Sequence, residues 1–396
     1  MSSPELPQWI DDELQKIRAA GLFRSRRTFR PLTGGRCILD GRELINLSSN
    51  DYLDLAQEHR VVSAAAAVLP ESGVGARASA LVSGRTEWHA RLEQQLATFE
   101  GTEDAILFPS GYAANLGVVS AFAGEQDTIF CDRLNHASLI DGCRLSGARL
   151  RVYRHDRLEK LERELEKAGS DGKRIIVTDS VFSMDGSLAP LVSLCDLAET
   201  YAASLIIDEA HATGVWGASG RGLAEELGVE DRVTIRIGTL SKAVGTMGGF
   251  VAGSRSLIDW LWNRGRTQIY STALPPAICA AACTALEIIQ TEPDRRRLLH
   301  TQADFLRNEL LHRATVSIPP ASGPIIPIIL KDPEVTMTIA AELQDAGFLV
   351  GAIRPPTVPE GTSRLRISVT CAHQRDDLER FLKALDRSLA RHGESR

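Results

Sequence analysis

The apolar run "SLIIDEAH" ends on an acid and a base, Asp208 and His211, three residues apart. Thirty-four residues after Asp208, "GTLSKAVGTMGG" sets Lys242 among Thr239, Ser241, Gly245, Gly248 and Gly249. The letters Asp-Glu-Ala-His also spell the motif by which one class of nucleic-acid motor holds magnesium. That chemistry needs a phosphate loop of the form GxxxxGK[ST] as well. The chain has one Gly-Lys pair, Gly172-Lys173, followed by Arg174 in a polar turn after a surface helix. A nucleotide's β- and γ-phosphates would have no seat there. A net charge of −6 and a pI near 5.9 also argue against a phosphate-gripping surface. No GxGxxG follows the first strand of the alternating region, so a dinucleotide site has little support either.

A lysine placed after an apolar strand, among small residues, suits another chemistry. An amine that forms a Schiff base needs open space and a lowered pKa, which an apolar or cationic setting supplies. Pyridoxal phosphate (PLP) makes four further demands. Its pyridine nitrogen must stay protonated, and a buried carboxylate at a strand end does this, as Asp208 would. Its phenolic oxygen wants a donor, and His211 is near. Its phosphate wants N–H groups at a helix start, and Ser110, Gly111 and Tyr112 in "PSGYAAN" offer them. Its ring wants a planar partner, and His136 in "LNHASLIDG" follows a strand. A cap or a plain turn would explain each of these residues singly. Their joint occurrence at strand ends favours the cofactor site.

The elements that must carry these residues alternate. Ile10, Leu14 and Ile17 recur at helical spacing, so the chain opens with an amphipathic helix. "FRPLTGGRCILDGRELINL" reads as short strands with glycine turns. From residue 86 on, helices such as "EWHARLEQQLATFE" and "YAANLGVVSAFA" alternate with strands such as "DTIFCD", "RIIVTDSVFS", "SLIIDEAH" and "VTIRIGTLSKAVG". This predicts an α/β fold with a mostly parallel sheet covered on both faces. "ALPPAICAAACTALEIIQ" reads as a long helix leading to a smaller α+β unit. The predicted division is 1–45 for the N-terminal helix and strands, 46–290 for the large domain and 291–396 for the small one. Hydrophobic content of 43% and charged content of 24% suit a globular protein. No apolar run approaches a bilayer span and no signal-peptide core opens the chain. Seven cysteines without a CxxC pair fit a reducing cytoplasm. Neither membrane nor nucleic acid is an expected partner, and no residue is assigned to a metal.

At this point the residues resemble the α-oxoamine synthases, PLP enzymes of fold type I with an aminotransferase-like large domain. The likeness runs over nearly the whole chain, through "LSSNDYL", "FPSGYAAN", "NHASLIDG", "VFSMDGSLAPL", "DEAHATGVWGASGRG", "SKAVGTMGGF" and "YSTALPP". It implies that Lys242 binds the cofactor covalently and moves the α-proton. Asp208 would pair with the pyridine nitrogen, and His211 and Ser183 would bond around the phenolic oxygen. His136 would stack on the ring, and Thr239 would add a hydroxyl to the phosphate site. Ser271 and Thr272 would reach the phosphate from a neighbouring subunit, which implies a homodimer. Arg366 would hold the amino-acid carboxylate near Asn50, a task that guanidinium's planar fork suits. Arg24 and Arg354 would line the acyl-substrate side. The C-terminal "AIRPPTVPEGTSRLRISV" resembles the biotin-pathway branch, which implies decarboxylative condensation of L-alanine with pimeloyl-CoA or a pimeloyl carrier protein to 8-amino-7-oxononanoate. A branch using glycine or serine with another acyl-CoA, as glycine C-acetyltransferase does, is the alternative. Two positions depart from the pattern: Ala80, with Arg77 near it, where Arg or His is expected, and Asp179, where Glu is expected. The first leaves the acyl chain open.

Overall fold

The computed structural model describes residues 7–169, 171–313 and 316–393. Residues 1–6 of the predicted N-terminal segment lie outside them.

Among the described residues, thirteen strands form two sheets. In chain order, β1 is Phe29–Leu32, β2 Arg36–Leu39, β3 Arg42–Leu47, β4 Asp104–Phe108, β5 Thr128–Asp132, β6 Arg149–Tyr153 and β7 Arg174–Asp179. Then come β8 Ala203–Asp208, β9 Ile235–Thr239, β10 Gly249–Gly253, β11 Ile325–Lys331, β12 Phe348–Ile353 and β13 Ser363–Ser368. The large sheet has the order β4-β10-β9-β8-β7-β5-β6, with β10 antiparallel to both its neighbours and the other pairs parallel. Its central strands are apolar on both faces: every residue of β5 is buried, as are Ile175 to Asp179 of β7. Strands covered by helices on both sides require this pattern. The helix Leu158–Lys167 shows the complementary case, burying only Leu161 and Leu165 of its charged sequence.

The second sheet, β1-β2-β3-β12-β13-β11, joins the two ends of the chain. β3 pairs in parallel with β12, Leu47 opposite Val350. The strands predicted for residues 1–45 thus extend the sheet of the C-terminal unit. The predicted long helix is Pro276–Thr291, whose alanines and cysteines are all buried. Small side chains let it lie close against the helices His59–Ser72 and Glu87–Glu100. The predicted N-terminal helix is present as Gln8–Ala19, and it buries none of its residues within the chain.

Two differences from the sequence reading matter for the site. The sequence reading contains no strand at β10, whose "GGFVAG" has two adjacent glycines at its start. Its first glycine is a close-approach residue: a Cβ on Gly249 would lie 2.5 Å from the Ser110 carbonyl oxygen. That contact seats the start of the helix Gly111–Phe122 beside the end of β9. The strands read as "RIIVTDSVFS" and "VTIRIGTLSKAVG" also stop early, at Asp179 and Thr239. The residues after them are released into loops above the sheet.

Candidate active site

The carboxyl ends of β7, β8 and β9 enclose a cavity of about 230 Å³. It is lined by Ser110, Gly111, Tyr112, His136, Ser183, Asp208, His211, Thr239 and Lys242, all singled out from the sequence, together with Asn115, Ser138 and Asp179.

Each wall has a local cause. Asp208 and Asp179 are Cα partners on adjacent parallel strands, so both carboxylates rise from the same face at the same level. Two buried carboxylates this close cannot both ionise easily. Burial, reinforced by the Asp208 charge, pushes Asp179 well above the usual carboxylate range. Asp179 accepts a 2.7 Å bond from the backbone N–H of His136. Asp208 is fixed by the Ala210 N–H at 2.7 Å and by Asn115 Nδ2 at 2.5 Å. Asn115 gives its other amide hydrogen to Ser138 Oγ at 2.9 Å, and Ser138 Oγ stands 2.7 Å from His136 Nδ1. With the Asn115 amide donating, the Ser138 hydroxyl donates onward to His136 Nδ1. A single chain of hydrogen bonds therefore ties the strand-end carboxylate to the histidine and leaves His136 Nε2 as the protonated nitrogen.

His211 is buried and bonded through Nδ1 to the Tyr52 hydroxyl at 2.7 Å. Burial, with Lys242, Arg366 and His136 adding to it, drives its pKa far below the ordinary value, so it is neutral. The tyrosine's alternative acceptor, Asn50 Oδ1, is farther away at 3.4 Å. The Tyr52 hydrogen therefore serves Nδ1, and His211 Nε2–H remains a donor. Lys242 is half-buried; desolvation lowers its pKa to about 8 against the opposing pull of Asp208 and Asp179. An amine with this pKa is a usable nucleophile and base near neutrality.

The helix Gly111–Phe122 presents its start to the cavity. Ser110 caps it, its hydroxyl accepting the Ala113 N–H at 3.1 Å, while Ala114 bonds the Ser110 carbonyl at 3.0 Å. The N–H groups of Gly111 and Tyr112 have no intrahelical acceptor. They form an anion seat, and a Cβ on Gly111 would crowd Thr239 at 3.0 Å and fill the seat's wall. Thr239 is committed elsewhere: its hydroxyl donates to the Gly248 carbonyl at 2.9 Å. Toward a phosphate it would act by fixing the loop before Lys242. A strand-end carboxylate, an open helix start, a neutral histidine donor and a lysine near pKa 8 around one space fit PLP in every part.

The remaining predicted residues lie around this cavity or apart from it. Arg366 is buried beside it, bonded to the Ser183 carbonyl at 2.6 Å, Ser368 Oγ at 2.7 Å and Asn50 Oδ1 at 3.3 Å. The guanidinium also hydrogen-bonds the Tyr52 hydroxyl, so it is held beside the cavity as a planar cation suited to a carboxylate. Arg24 and Arg354 line a separate cavity of about 490 Å³ with Phe23, Phe29, Met337 and Ile353. Ser271 and Thr272 do not line the Lys242 cavity of their own chain; they border a small space with Ala80 and His89. Glu209 of "DEAH" has a structural task. It accepts the Leu223 and Ala224 N–H groups at 3.1 and 2.9 Å and caps the turn they open. Asn115, Ser138 and Tyr52 are the residues that sequence reasoning missed. A trace was present: Asn115 is the one amide in the apolar helix "GYAANLGVV", one turn after Gly111.

Comparison with known proteins agrees with this geometry. The aminotransferase class I and II family matches residues 42–385. A putative 8-amino-7-oxononanoate synthase of Bacillus licheniformis is 47% identical over 96% of each chain. The 8-amino-7-oxononanoate synthase of Anaeromyxobacter dehalogenans is 46% identical over 95% of this chain and 94% of its own. Among solved structures, Sphingomonas wittichii serine palmitoyltransferase superposes with a TM-score of 0.92 at 31% identity, over 97% of both chains. The 8-amino-7-oxononanoate synthase of Francisella tularensis superposes with a TM-score of 0.75 at 30% identity, over 88% of this chain and 98% of its own. The chain belongs to the aminotransferase class I and II family, and within it to the α-oxoamine synthases, the PLP-dependent acyltransferases.

Proposed function

We propose that this enzyme condenses L-alanine with a pimeloyl thioester, carried by CoA or a carrier protein, to give 8-amino-7-oxononanoate, CO2 and the free thiol, a step of biotin synthesis. The observation that carries the chemistry is the convergence of Lys242, Asp208 and His211 on one cavity. The substrates are supported by relatives of that name, 43 to 47% identical over nearly the whole chain.

PLP, when bound, supplies a ring that accepts the electrons of a carbanion at the amino acid's α-carbon. Asp208, held by Asn115 and Ala210, would keep a proton on the pyridine nitrogen. His211 would donate Nε2–H toward the phenolic oxygen. Gly111 and Tyr112 would hold the phosphate by their N–H groups. Arg366 would hold the alanine carboxylate by its positive charge and planar guanidinium and so orient the bond later broken in CO2 loss. Lys242 as the free amine takes the α-proton, and its ammonium returns a proton to the same carbon after decarboxylation. Such a positioned base is worth roughly 10²–10⁴-fold. The α-carbon bonds to the thioester carbonyl and the thiolate leaves. Arg24 and Arg354, in their cavity beside Ser48 and Gly351, serve the acyl side; Gly351 pairs across the sheet with Arg366.

The working unit in this reading is a homodimer. Ser271 and Thr272 lie outside their own chain's cavity, beside Tyr270 at 74% exposure, and Val74 and Val82 stand out of the adjoining loop at 85% and 77%. A second copy would cover these side chains and receive the two hydroxyls at its phosphate.

Steady-state release of CO2 with L-alanine, glycine and L-serine, each against pimeloyl-CoA and acetyl-CoA, tests the reaction. Turnover confined to L-alanine with pimeloyl-CoA is expected. A preference for glycine or serine, or for acetyl-CoA, would keep the family and overturn the substrates.

A further inference from the structure

His89 lies outside the Lys242 cavity, yet it is buried and both its ring nitrogens are engaged. It is the third residue of the helix Glu87–Glu100, which Thr86 caps. Its Nδ1 accepts the Thr86 N–H at 3.1 Å, so Nδ1 carries no proton. The hydrogen is therefore on Nε2, which donates to the Leu274 carbonyl at 2.9 Å. Glutamate commonly closes this kind of cap at the third position. Glutamate has no hydrogen to give a carbonyl; imidazole accepts on one side and donates on the other. Burial pulls the pKa of His89 down and keeps the ring neutral in this one tautomer.

Leu274 ends the segment that carries Ser271 and Thr272. The same segment is held from its other side, where Ala273 N–H bonds the Ala78 carbonyl at 3.0 Å and Thr272 pairs with Ser79. The chain from Ala78 to His89 thus clasps residues 272–274 at both ends, and His89 is the side chain that closes the clasp. Ala80, His89, Ser271 and Thr272 border one small space.

We propose that His89 is a positioning residue that sets Ser271 and Thr272 for the cofactor phosphate of the partner subunit, so that its effect is felt at the neighbouring active site. This rests on the homodimer reading above. Loss of the Nε2–H bond frees the segment, and PLP is held about tenfold less tightly. His89→Glu keeps the cap but places a carboxylate against the Leu274 carbonyl. His89→Gln restores an acceptor and a donor on one side chain.

The test is PLP affinity, read by absorbance on the purified proteins, together with a hybrid dimer. The His89→Glu homodimer should bind PLP about tenfold more weakly and His89→Gln close to wild type. In a hybrid of one His89→Glu chain with one Lys242→Ala chain, the intact lysine site receives Ser271 and Thr272 from a chain with a normal His89. That site should recover wild-type PLP affinity and turn over at about half the wild-type dimer rate. A hybrid site as weak as the His89→Glu homodimer would overturn the proposal, because His89 would then act within its own chain. Equal PLP affinity in the Glu and Gln variants would overturn the role of the Nε2–H donor. A monomer by sedimentation that binds PLP normally would overturn the dimer reading and this inference with it, leaving the Lys242 chemistry standing.

Discussion

The two ends of the large sheet each carry a cavity, and the larger one is not where the chemistry converges. Beyond the start of β9, Glu100, Arg221, Glu230 and Arg236 line a space of about 730 Å³. Beyond its end, the Lys242 cavity measures about 230 Å³. Shifted pKa values occur at both. Burial raises Glu100 to about 8, much as it lowers Lys242 to about 8. The difference is in pairing. At the far end, Arg236 bonds Glu100 at 2.9 Å and Glu230 at 2.6 Å, and Arg221 bonds Glu230 at 2.9 Å. Each charge faces its opposite. At the catalytic end, two carboxylates stand side by side with Lys242, His136 and His211 around the same cavity, and among the described residues no close ion pair joins them. Titratable groups left unpaired around a space, rather than the size of the space, mark the site.

The largest expected effect at the catalytic end is that of Lys242→Ala. It should cut turnover by at least ~10²–10⁴-fold and leave the thermal midpoint almost unchanged. A large loss of stability with little loss of turnover would erase the contrast between the two ends. The next is Asp208→Asn, which keeps the side chain's size, removes the charge and turns one of its two accepting oxygens into a donor. Turnover should fall about 10²-fold or more, measured as CO2 release at saturating substrates.

The mirror experiment is Arg236→Ala. It removes the hydrogen-bond partner of the buried Glu100 and should cost about 1–3 kcal/mol of stability in a denaturant melt, with turnover per folded enzyme unchanged. A loss of turnover in the folded variant would give the far cavity a part in the chemistry. The smallest effect is that of Tyr52→Phe, which removes the partner of His211 Nδ1. One hydrogen bond is worth about 1 kcal/mol, so turnover should drop about fivefold.

A pH experiment sharpens the comparison further. The lysine pKa is lowered, so its amine is protonated and unreactive below about pH 8 and free above it. The rate of covalent PLP uptake by the apoenzyme should therefore rise through about pH 8 and level off above it. A rise that continues toward pH 10 would mean that Lys242 is not desolvated.

Much of this site was legible because its residues sit at breaks in pattern. Asp208 and His211 end an apolar strand, Lys242 follows another, and Ser110-Gly111 opens a helix after a third. Such breaks are one-dimensional features. The second layer was not legible, because it depends on which strands become neighbours. Asp179 was named through resemblance as a departure, but its coupling to Asp208 comes from their register, and β7 and β8 are separated in sequence by a whole helix. Asn115 reaches Asp208 only because β10 inserts between β4 and β9 and seats the helix Gly111–Phe122 above the strand ends. β10 carries glycines that weaken a strand pattern and permit a close backbone contact. Tyr52 and Arg366 come from opposite ends of the chain and meet because β3 and β12 share a sheet. Ser271, Thr272, Arg24 and Arg354 were named through resemblance alone, and the structure places none of them in the Lys242 cavity of their own chain.

The most direct test of the central claim is chemical. PLP-loaded protein is reduced with borohydride, digested and mapped by mass spectrometry. One phosphopyridoxyl group per chain on the peptide carrying Lys242 is the predicted result. A label on another lysine, or no covalent label with PLP bound at saturation, would contradict the assignment of Lys242 and the reading of the cavity built around it.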